Sequence, residues 1–358
     1  MFSSVKSVLI VSLGILGGSI AKALKRARPD IKLYTLTRNQ KTVSLAKAEG
    51  VIEEGYTVFP KEKEFDIIIL CSPIDACIEY TKDFLPYITE KTLVTDVCST
   101  KSELREFFTG KNVRYIGGHP MAGSEKNGYE NSSQYLFENA YYIVSPLPGS
   151  REEDVQVVKD LAQTVGAIPY VMDAGFHDAA LARISHLPHV AAAALVNSAL
   201  KSESNEKALS TLAAGGFKDV TRIASGDPAL WSDILISNSK NVVDSIDDMI
   251  DNLTLFKNAL EGKNHAELHS LLDRARSYRS SFRDGISTIT GLMYELNLDV
   301  PDKPGAIANA TAKLYNNGIN IRNIYISGHR DNEGGQLRLV FTSKNDRDRA
   351  EKILREGL

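Results

Sequence analysis

Seven short β-rich runs alternate with amphipathic stretches over the first half of the chain, a rhythm that leaves little choice of architecture. The runs are Val8–Ser12, Lys32–Leu36, Asp66–Cys71, Leu93–Asp96, Val113–Ile116, Ala140–Ser145 and Ala167–Met172, with helical segments such as Ser19–Ala27 and Thr42–Glu49 between them. Strands separated by helices pair in parallel through β-α-β crossovers, so residues 1–172 are expected to form a doubly wound α/β sheet. From Asp173 to about Tyr278 the strand signal fades and a helical period takes over. Val243, Ile246, Ile250, Leu253 and Leu260 fall on one face of Val242–Leu260, the spacing of a buried stripe. Glu261-Gly262-Lys263-Asn264 breaks that helix, and another has begun by Leu268. An all-helical region over 173–285 with such stripes is expected to pack on its symmetry mate as a homodimer. Ser280–Gly291 reads as a linker. Residues 292–358 then give strand Tyr294–Val300, helix Ala306–Asn316, strands Ile319–Ser327 and Gln336–Phe341, and helix Arg347–Arg355. This order makes a small α+β module, with no closing fourth strand read before Leu358.

Composition excludes several classes of function. The 358 residues are 43% hydrophobic and 24% charged with a net charge of −3, which gives no electrostatic case for nucleic acid or an anionic membrane. No apolar run reaches the ~18 residues of a membrane span, and Val8–Val11 is too short for a secretory signal. Cys71, Cys77 and Cys98 are unevenly spaced without a CxxC, so neither a disulfide framework nor a zinc site is suggested. A reducing cytoplasm is the expected location.

The turn after the first strand reads Val11-Ser-Leu-Gly14-Ile-Leu16-Gly17-Gly-Ser19. It is a G-x-G-x-x-G dinucleotide fingerprint with Ser12 in the first slot. Gly14 is where backbone approaches a pyrophosphate, and Gly17 lets helix and strand pack closely. The helix that follows turns free N–H groups and its positive dipole end toward that phosphate. If the first slot needs positive φ, serine costs about 1–2 kcal/mol there. The second strand ends in Thr37-Arg38-Asn39, without the carboxylate that binds ribose hydroxyls, so NAD and NADP both stay open. Ser72 and Pro73 end the strand whose tip lies beside the nicotinamide half in such folds.

Three further segments are polar and poised beyond strand or helix ends: Val94-Thr-Asp96-Val-Cys-Ser99-Thr-Lys101, Gly117-Gly-His119-Pro-Met-Ala-Gly-Ser124-Glu125, and Ser185-His186-Leu-Pro-His189 with Gly215-Gly-Phe-Lys-Asp219-Val-Thr-Arg222. His186 and His189 lack a third ligand of matching spacing, and His265 and His269 lack the HExxH pattern, so no metal site is read. In this order and spacing, VTDVCSTK, GGHPMAGSEKNG, SHLPH and GGFKDVTRIASGDPALW resemble the prephenate dehydrogenase family, which includes arogenate dehydrogenases. The tail, with LDVPDKPGAIANA and NNGINI, resembles an ACT domain, a regulatory amino-acid-binding module.

The resemblance implies NAD(P)-dependent oxidative decarboxylation of prephenate to 4-hydroxyphenylpyruvate. It makes His119 the catalytic histidine on the ring hydroxyl and Ser99 the serine that orients it. Arg222 matches the arginine that pairs with a substrate carboxylate. His189, Gly215 and Ser124 line the rest of the substrate site, and Glu125 and Asp219 gate it through ion pairs. Gly14, Leu16, Gly17, Thr37, Arg38, Ser72, Pro73 and Asp96 are the implied cofactor residues. L-tyrosine is the implied effector of the tail, near Asp302, Gly305 and Asn320. The alternatives are arogenate as substrate, a silent tyrosine-sensing protein, and a β-hydroxyacid dehydrogenase with a lysine base.

Overall fold

The computed structural model describes residues 2–123, 126–202, 212–281, 294–301, 303–328 and 335–355, in two compact units, Met1–Leu268 and His269–Leu358. The first unit is built on β1 (Ser7–Val11), β2 (Lys32–Leu36), β3 (Glu54–Tyr56), β4 (Ile67–Leu70), β5 (Leu93–Asp96), β6 (Arg114–Pro120), β7 (Tyr141–Pro146) and β8 (Ile168–Val171). Their order across the sheet is β3-β2-β1-β4-β5-β6-β7-β8. All neighbours pair in parallel except β6 and β7. The chain therefore reverses direction across the sheet between β1 and β4, and a ligand crevice opens beyond the carboxyl ends of the strands at such a point.

The apolar runs explain this sheet. Strands covered on both faces are apolar throughout, and alternate residues serve opposite layers. Val8 and Ile10 of β1 join one buried cluster with Ile20 and Leu24 of α1 (Ile15–Ala27) and Val158 and Leu161 of α5 (Glu152–Thr164). Leu9 and Val11 join the opposite cluster with Phe84 of α3 (Ile74–Phe84) and Leu104 and Phe108 of α4 (Ser102–Phe108). α2 (Gln40–Ala48) completes the β2-to-β3 crossover, capped by Asn39, whose side chain accepts from the N–H groups of Lys41 and Thr42.

Beyond the sheet come α6 (Ala174–Leu181), a π-helical turn (Ala182–His186) and α7 (Leu187–Ser202). Then follow α8 (Gly215–Thr221), α9 (Pro228–Ser237), α10 (Ser239–Glu261) and α11 (His265–Ser281). Two expectations change here. Ala174–Lys201 is 28 residues of helix containing an 18-residue window of mean hydropathy 1.3, so one helix is long and apolar enough to cross a bilayer by length and composition. Titratable residues nonetheless interrupt it, with His177, Asp178 and His186 all buried. The α10 stripe is the second change: Val243, Ile250, Leu253 and Leu260 are exposed in the single chain, while Val242, Ser245 and Ala259 are buried.

In the second unit β9 (Tyr294–Val300), β10 (Asn323–Gly328) and β11 (Gly335–Phe341) form an antiparallel sheet in the order β10-β11-β9. Leu296, Leu298, Leu337 and Leu339 of that sheet pack with Leu314 of α12 (Ala306–Asn316) and Leu354 of α13 (Lys344–Arg355). The β-α-β-β-α order matches the sequence reading, although β10 starts at Asn323 rather than Ile319.

Candidate active site

The glycine turn does what its spacing asks. Ser12 sits at φ +70°, so the first slot does demand the left-handed region and a serine occupies it at a cost of about 1–2 kcal/mol. Its N–H donates to the Leu36 carbonyl at 2.9 Å, which pins the turn to the end of β2. A Cβ on Gly17 would lie 2.3 Å from the Ser12 carbonyl oxygen and 3.2 Å from Cys71 Cβ, so only glycine lets α1 lie this close to the strands. A Cβ on Gly14 would meet nothing within 4 Å, and Gly14 caps α1 without a side-chain hydrogen bond. Open space faces the unpaired amides of the helix start, a geometry that fits a dinucleotide pyrophosphate.

Leu16, Ser72 and Pro73 line a cleft of 330 Å³ that reaches Ser99 and, across it, Leu230 and Asp233 of α9. This runs into a second cleft of 730 Å³ that shares Leu16, Ser99 and Leu230 and adds His119, His189 and Trp231. The structure thus lines two clefts that share Leu16, Ser99 and Leu230, with Ser72 and Pro73 on the first and His119 and His189 on the second. Thr37 and Arg38 stand apart from both. Thr37 is buried with its N–H on the Tyr56 carbonyl, and Arg38 is exposed.

His119 lies on β6, opposite Ile143 of β7. The residue before it must be glycine: a Cβ on Gly118 would sit 2.4 Å from the Asp96 carbonyl oxygen. His119 is buried, and its Nδ1 is 2.9 Å from His177 Nε2. Burial pushes its pKa well below the ordinary histidine value, and the nearby His177, Lys101 and His186 push it the same way. The imidazole is therefore neutral near pH 7. Behind it, His177 Nδ1 lies 2.7 Å from Asp178 Oδ1. Burial raises the Asp178 pKa, but hydrogen bonds from His177, Ser102 and Lys101 outweigh it and hold this carboxyl below the usual range.

Asp96 is placed differently from its expected cofactor role. It has no exposed surface, and its carboxylate accepts from the Cys98 N–H at 2.8 Å, the Tyr115 hydroxyl at 2.7 Å, the Gly118 N–H at 3.2 Å and the Lys101 ammonium. With its oxygens taken from inside, it anchors the Ser99 loop against the His119 strand.

The helical wall is looser. His189 stacks on Trp231 with centroids 3.3 Å apart and rings 24° from parallel. Burial lowers the His189 pKa, a hydrogen bond with the Ile223 backbone opposes this, and the Arg222 charge adds to the lowering. Arg222 follows α8 directly and is exposed; Gly215 and Asp219, on α8, are exposed too. None of these three is among the residues lining either cleft. Ser124 and Glu125 lie outside the described residues, as does Asp302 in the second unit. There Gly305 caps α12 at φ +89° and Asn320 is exposed ahead of β10.

No motif in the sequence marks His177 and Asp178, and Lys101 ends the polar Val94–Lys101 segment with no assigned role. Ala174, His177, Asp178 and Leu181 are the buried residues of α6, at spacings of three, one and three. Two titratable residues on the core face of a helix are the signal that was there to be found.

Family models match along most of the chain. Residues 20–171 match the family model described as prephenate dehydrogenase, nucleotide-binding domain; residues 173–274 match prephenate dehydrogenase, dimerization domain; residues 294–356 match the ACT domain. Prephenate dehydrogenase of Bacillus subtilis is 33% identical over 353 residues, 97% of this chain and 95% of that one. The crystal structure of Aquifex aeolicus prephenate dehydrogenase in complex with hydroxyphenyl propionate and NAD+ superposes with a TM-score of 0.73 at 34% identity, covering 77% of this chain and 98% of that one. Synechocystis arogenate dehydrogenase gives a TM-score of 0.69 at 27% identity, covering 77% of this chain and all of that one (100%). The chain belongs to the prephenate dehydrogenase family.

Proposed function

We propose that this cleft converts prephenate to 4-hydroxyphenylpyruvate with NAD+, in a cytoplasmic homodimer whose chain divides into parts at 1–172, 173–285 and 292–358. The observation that carries the reading is His119: buried, neutral, and lining one space with Ser99 and with Leu16 of the glycine turn. NAD+, when bound, accepts a hydride from the carbinol carbon of the substrate. Gly14, Gly17 and the start of α1 would hold its pyrophosphate, and Leu16, Ser72 and Pro73 its nicotinamide half. His119 accepts the hydroxyl proton, which a neutral imidazole can do and an imidazolium cannot. Ser99 orients that hydroxyl. Loss of the ring carboxylate as CO2 aromatises the ring, leaves its charge on the ring oxygen, and lets that oxygen reclaim the proton. Arg222 pairs with a substrate carboxylate, with His189, Gly215 and Ser124 around the side chain and Glu125 and Asp219 at the entrance.

Purified protein given prephenate and NAD+ is expected to form NADH and CO2 in equal amounts. NADH without CO2, or neither, refutes the assignment. Arogenate is the second reading, supported by the Synechocystis likeness; the fuller coverage and higher identity of the B. subtilis relative favour prephenate. Thr37 and Arg38, where a carboxylate would exclude a 2′-phosphate, leave NADP+ as a second coenzyme. The ACT match supports L-tyrosine as a feedback inhibitor bound near Asp302, Gly305 and Asn320. Removing residues 292–358 should abolish tyrosine inhibition, and inhibition that persists places tyrosine in the cleft instead.

A further inference from the structure

His119 is the outer end of a buried chain of three titratable groups. Its Nδ1 lies 2.9 Å from His177 Nε2, and His177 Nδ1 lies 2.7 Å from Asp178 Oδ1. The Asp178 carboxylate also accepts from the backbone N–H groups of Lys101 at 2.8 Å and Ser102 at 2.7 Å, at the entry to α4. The Asn238 side-chain amide donates to the Asp178 carbonyl at 2.7 Å. His177 and Asp178 have no exposed surface. Among the described residues, the charged or titratable groups near the chain include Lys101, whose ammonium Asp96 holds, His186, whose Nδ1 is 3.1 Å from the Asn238 amide, and Glu103, which interacts electrostatically with Asp178.

The hydrogen positions in this chain follow from its inner end. An ionised carboxylate only accepts, so His177 carries its hydrogen on Nδ1. Where His177 Nε2 is the acceptor of the 2.9 Å contact, His119 carries its hydrogen on Nδ1. That leaves His119 Nε2 as the free lone pair. The arrangement has the form of a second partner that fixes tautomer and ring orientation.

We propose that His177 and Asp178 are a positioning dyad that holds His119 in the tautomer with Nε2 free and shares inward the proton His119 takes from the substrate. This rests on the reading of His119 as the base. One proton moves. The substrate hydroxyl gives it to His119 Nε2 while the carbinol carbon gives its hydride to NAD+. The Nδ1 hydrogen of His119 then shifts toward His177 Nε2, with Asp178 keeping its negative charge opposite the imidazolium. The C–C bond to the leaving carboxylate breaks, its electron pair enters the ring, and the ring oxygen takes the proton back. No proton is left on the enzyme at the end of the cycle, so the dyad need only hold it in transit.

A purely structural histidine–aspartate pair tying α6 to the sheet would leave His119's tautomer and the chemical step untouched, and the test uses that difference. Imidazole nitrogen NMR of histidine-labelled full-length protein is expected to show His119 and His177 both as Nδ1–H tautomers. His119 found as the Nε2–H tautomer in the wild type overturns the proposal without any variant. His177→Leu is expected to lower kcat by about 10²-fold, with KM for prephenate and NAD+ within about twofold. His177→Gln, which restores an acceptor for His119 Nδ1–H but cannot take a proton, is expected to recover the Nδ1–H tautomer and only part of kcat. If His177→Leu binds NAD+ normally and turns over within about threefold of wild type, the dyad has no positioning role. His119→Asn run alongside separates the two readings. Loss of turnover there with none in His177→Leu sinks the dyad alone, whereas retention in His119→Asn sinks the base itself.

Discussion

Behind His119, Asp96, Lys101 and Tyr115 on the sheet side and His177 and Asp178 on α6 are buried and linked by hydrogen bonds. On the helical side Leu230 and Ile236, which line the first cleft, and Phe217 and Val220 of α8, which line neither, are exposed, as is Arg222. The groups behind the base all come from one chain, from β5, β6, the entry to α4, α6 and Asn238. We expect a second copy to cover the helical side, where residues 173–274 match the family's dimerization domain. Perturbing the two walls should therefore give different kinds of loss.

The largest loss is expected on the sheet wall. His119→Asn should lower kcat by about 10³-fold with little change in KM, measured by steady-state NADH formation. Turnover near the wild type would remove His119 from the chemistry. The depressed pKa of His119 also sets a pH response. The base stays neutral as pH falls through the ordinary histidine value of about 6.5, so kcat/KM should hold there and fall only at lower pH. Stability follows the same sign. His119 and His186, the latter lowered to about 4, bind protons more readily unfolded than folded. Their effect is to lower stability progressively as pH drops below about 6.5 toward the folded values.

On the helical wall the first expected loss is of assembly. Ile250→Asp, in the exposed stripe of α10, should shift sedimentation from dimer toward monomer and lower activity with it. A variant that stays dimeric places the interface elsewhere. Arg222→Gln should raise the KM for prephenate by about 10- to 100-fold, the worth of a charge-assisted pair, with kcat changed less. An unchanged KM would assign the carboxylate to another partner. The smallest effect belongs to the cofactor turn. Ser12→Gly relieves the left-handed φ but adds unfolded-chain entropy, a net stabilisation of about 0.5–1 kcal/mol. A lower denaturation midpoint would contradict it.

The sheet was legible because buried parallel strands leave near-continuous apolar runs such as Ile67–Leu70. β3 was not: Glu54-Gly-Tyr56 is a three-residue edge strand with no such run. α1 begins at Ile15 rather than Ser19 because Gly17 and Gly18, which read as turn, are packed inside the helix, where Gly18 faces Tyr129 and Ser132. At the site, His119 and Ser99 stood out in polar, glycine-rich segments at strand ends. His177 and Asp178 sit in Ala174-Gly-Phe-His-Asp-Ala-Ala-Leu181, which reads as an ordinary helix start until its core face is counted. Asp96 shows the converse. A polar residue at a strand tip suggests ligand contact, and only its buried partners show that it holds the loop.

The most direct measurement is of the substrate and coenzyme the cleft prefers, proposed to be prephenate with NAD+. Measuring kcat/KM for prephenate and arogenate, each with NAD+ and with NADP+, should give the highest value for prephenate with NAD+. A higher value for arogenate with either coenzyme would contradict it.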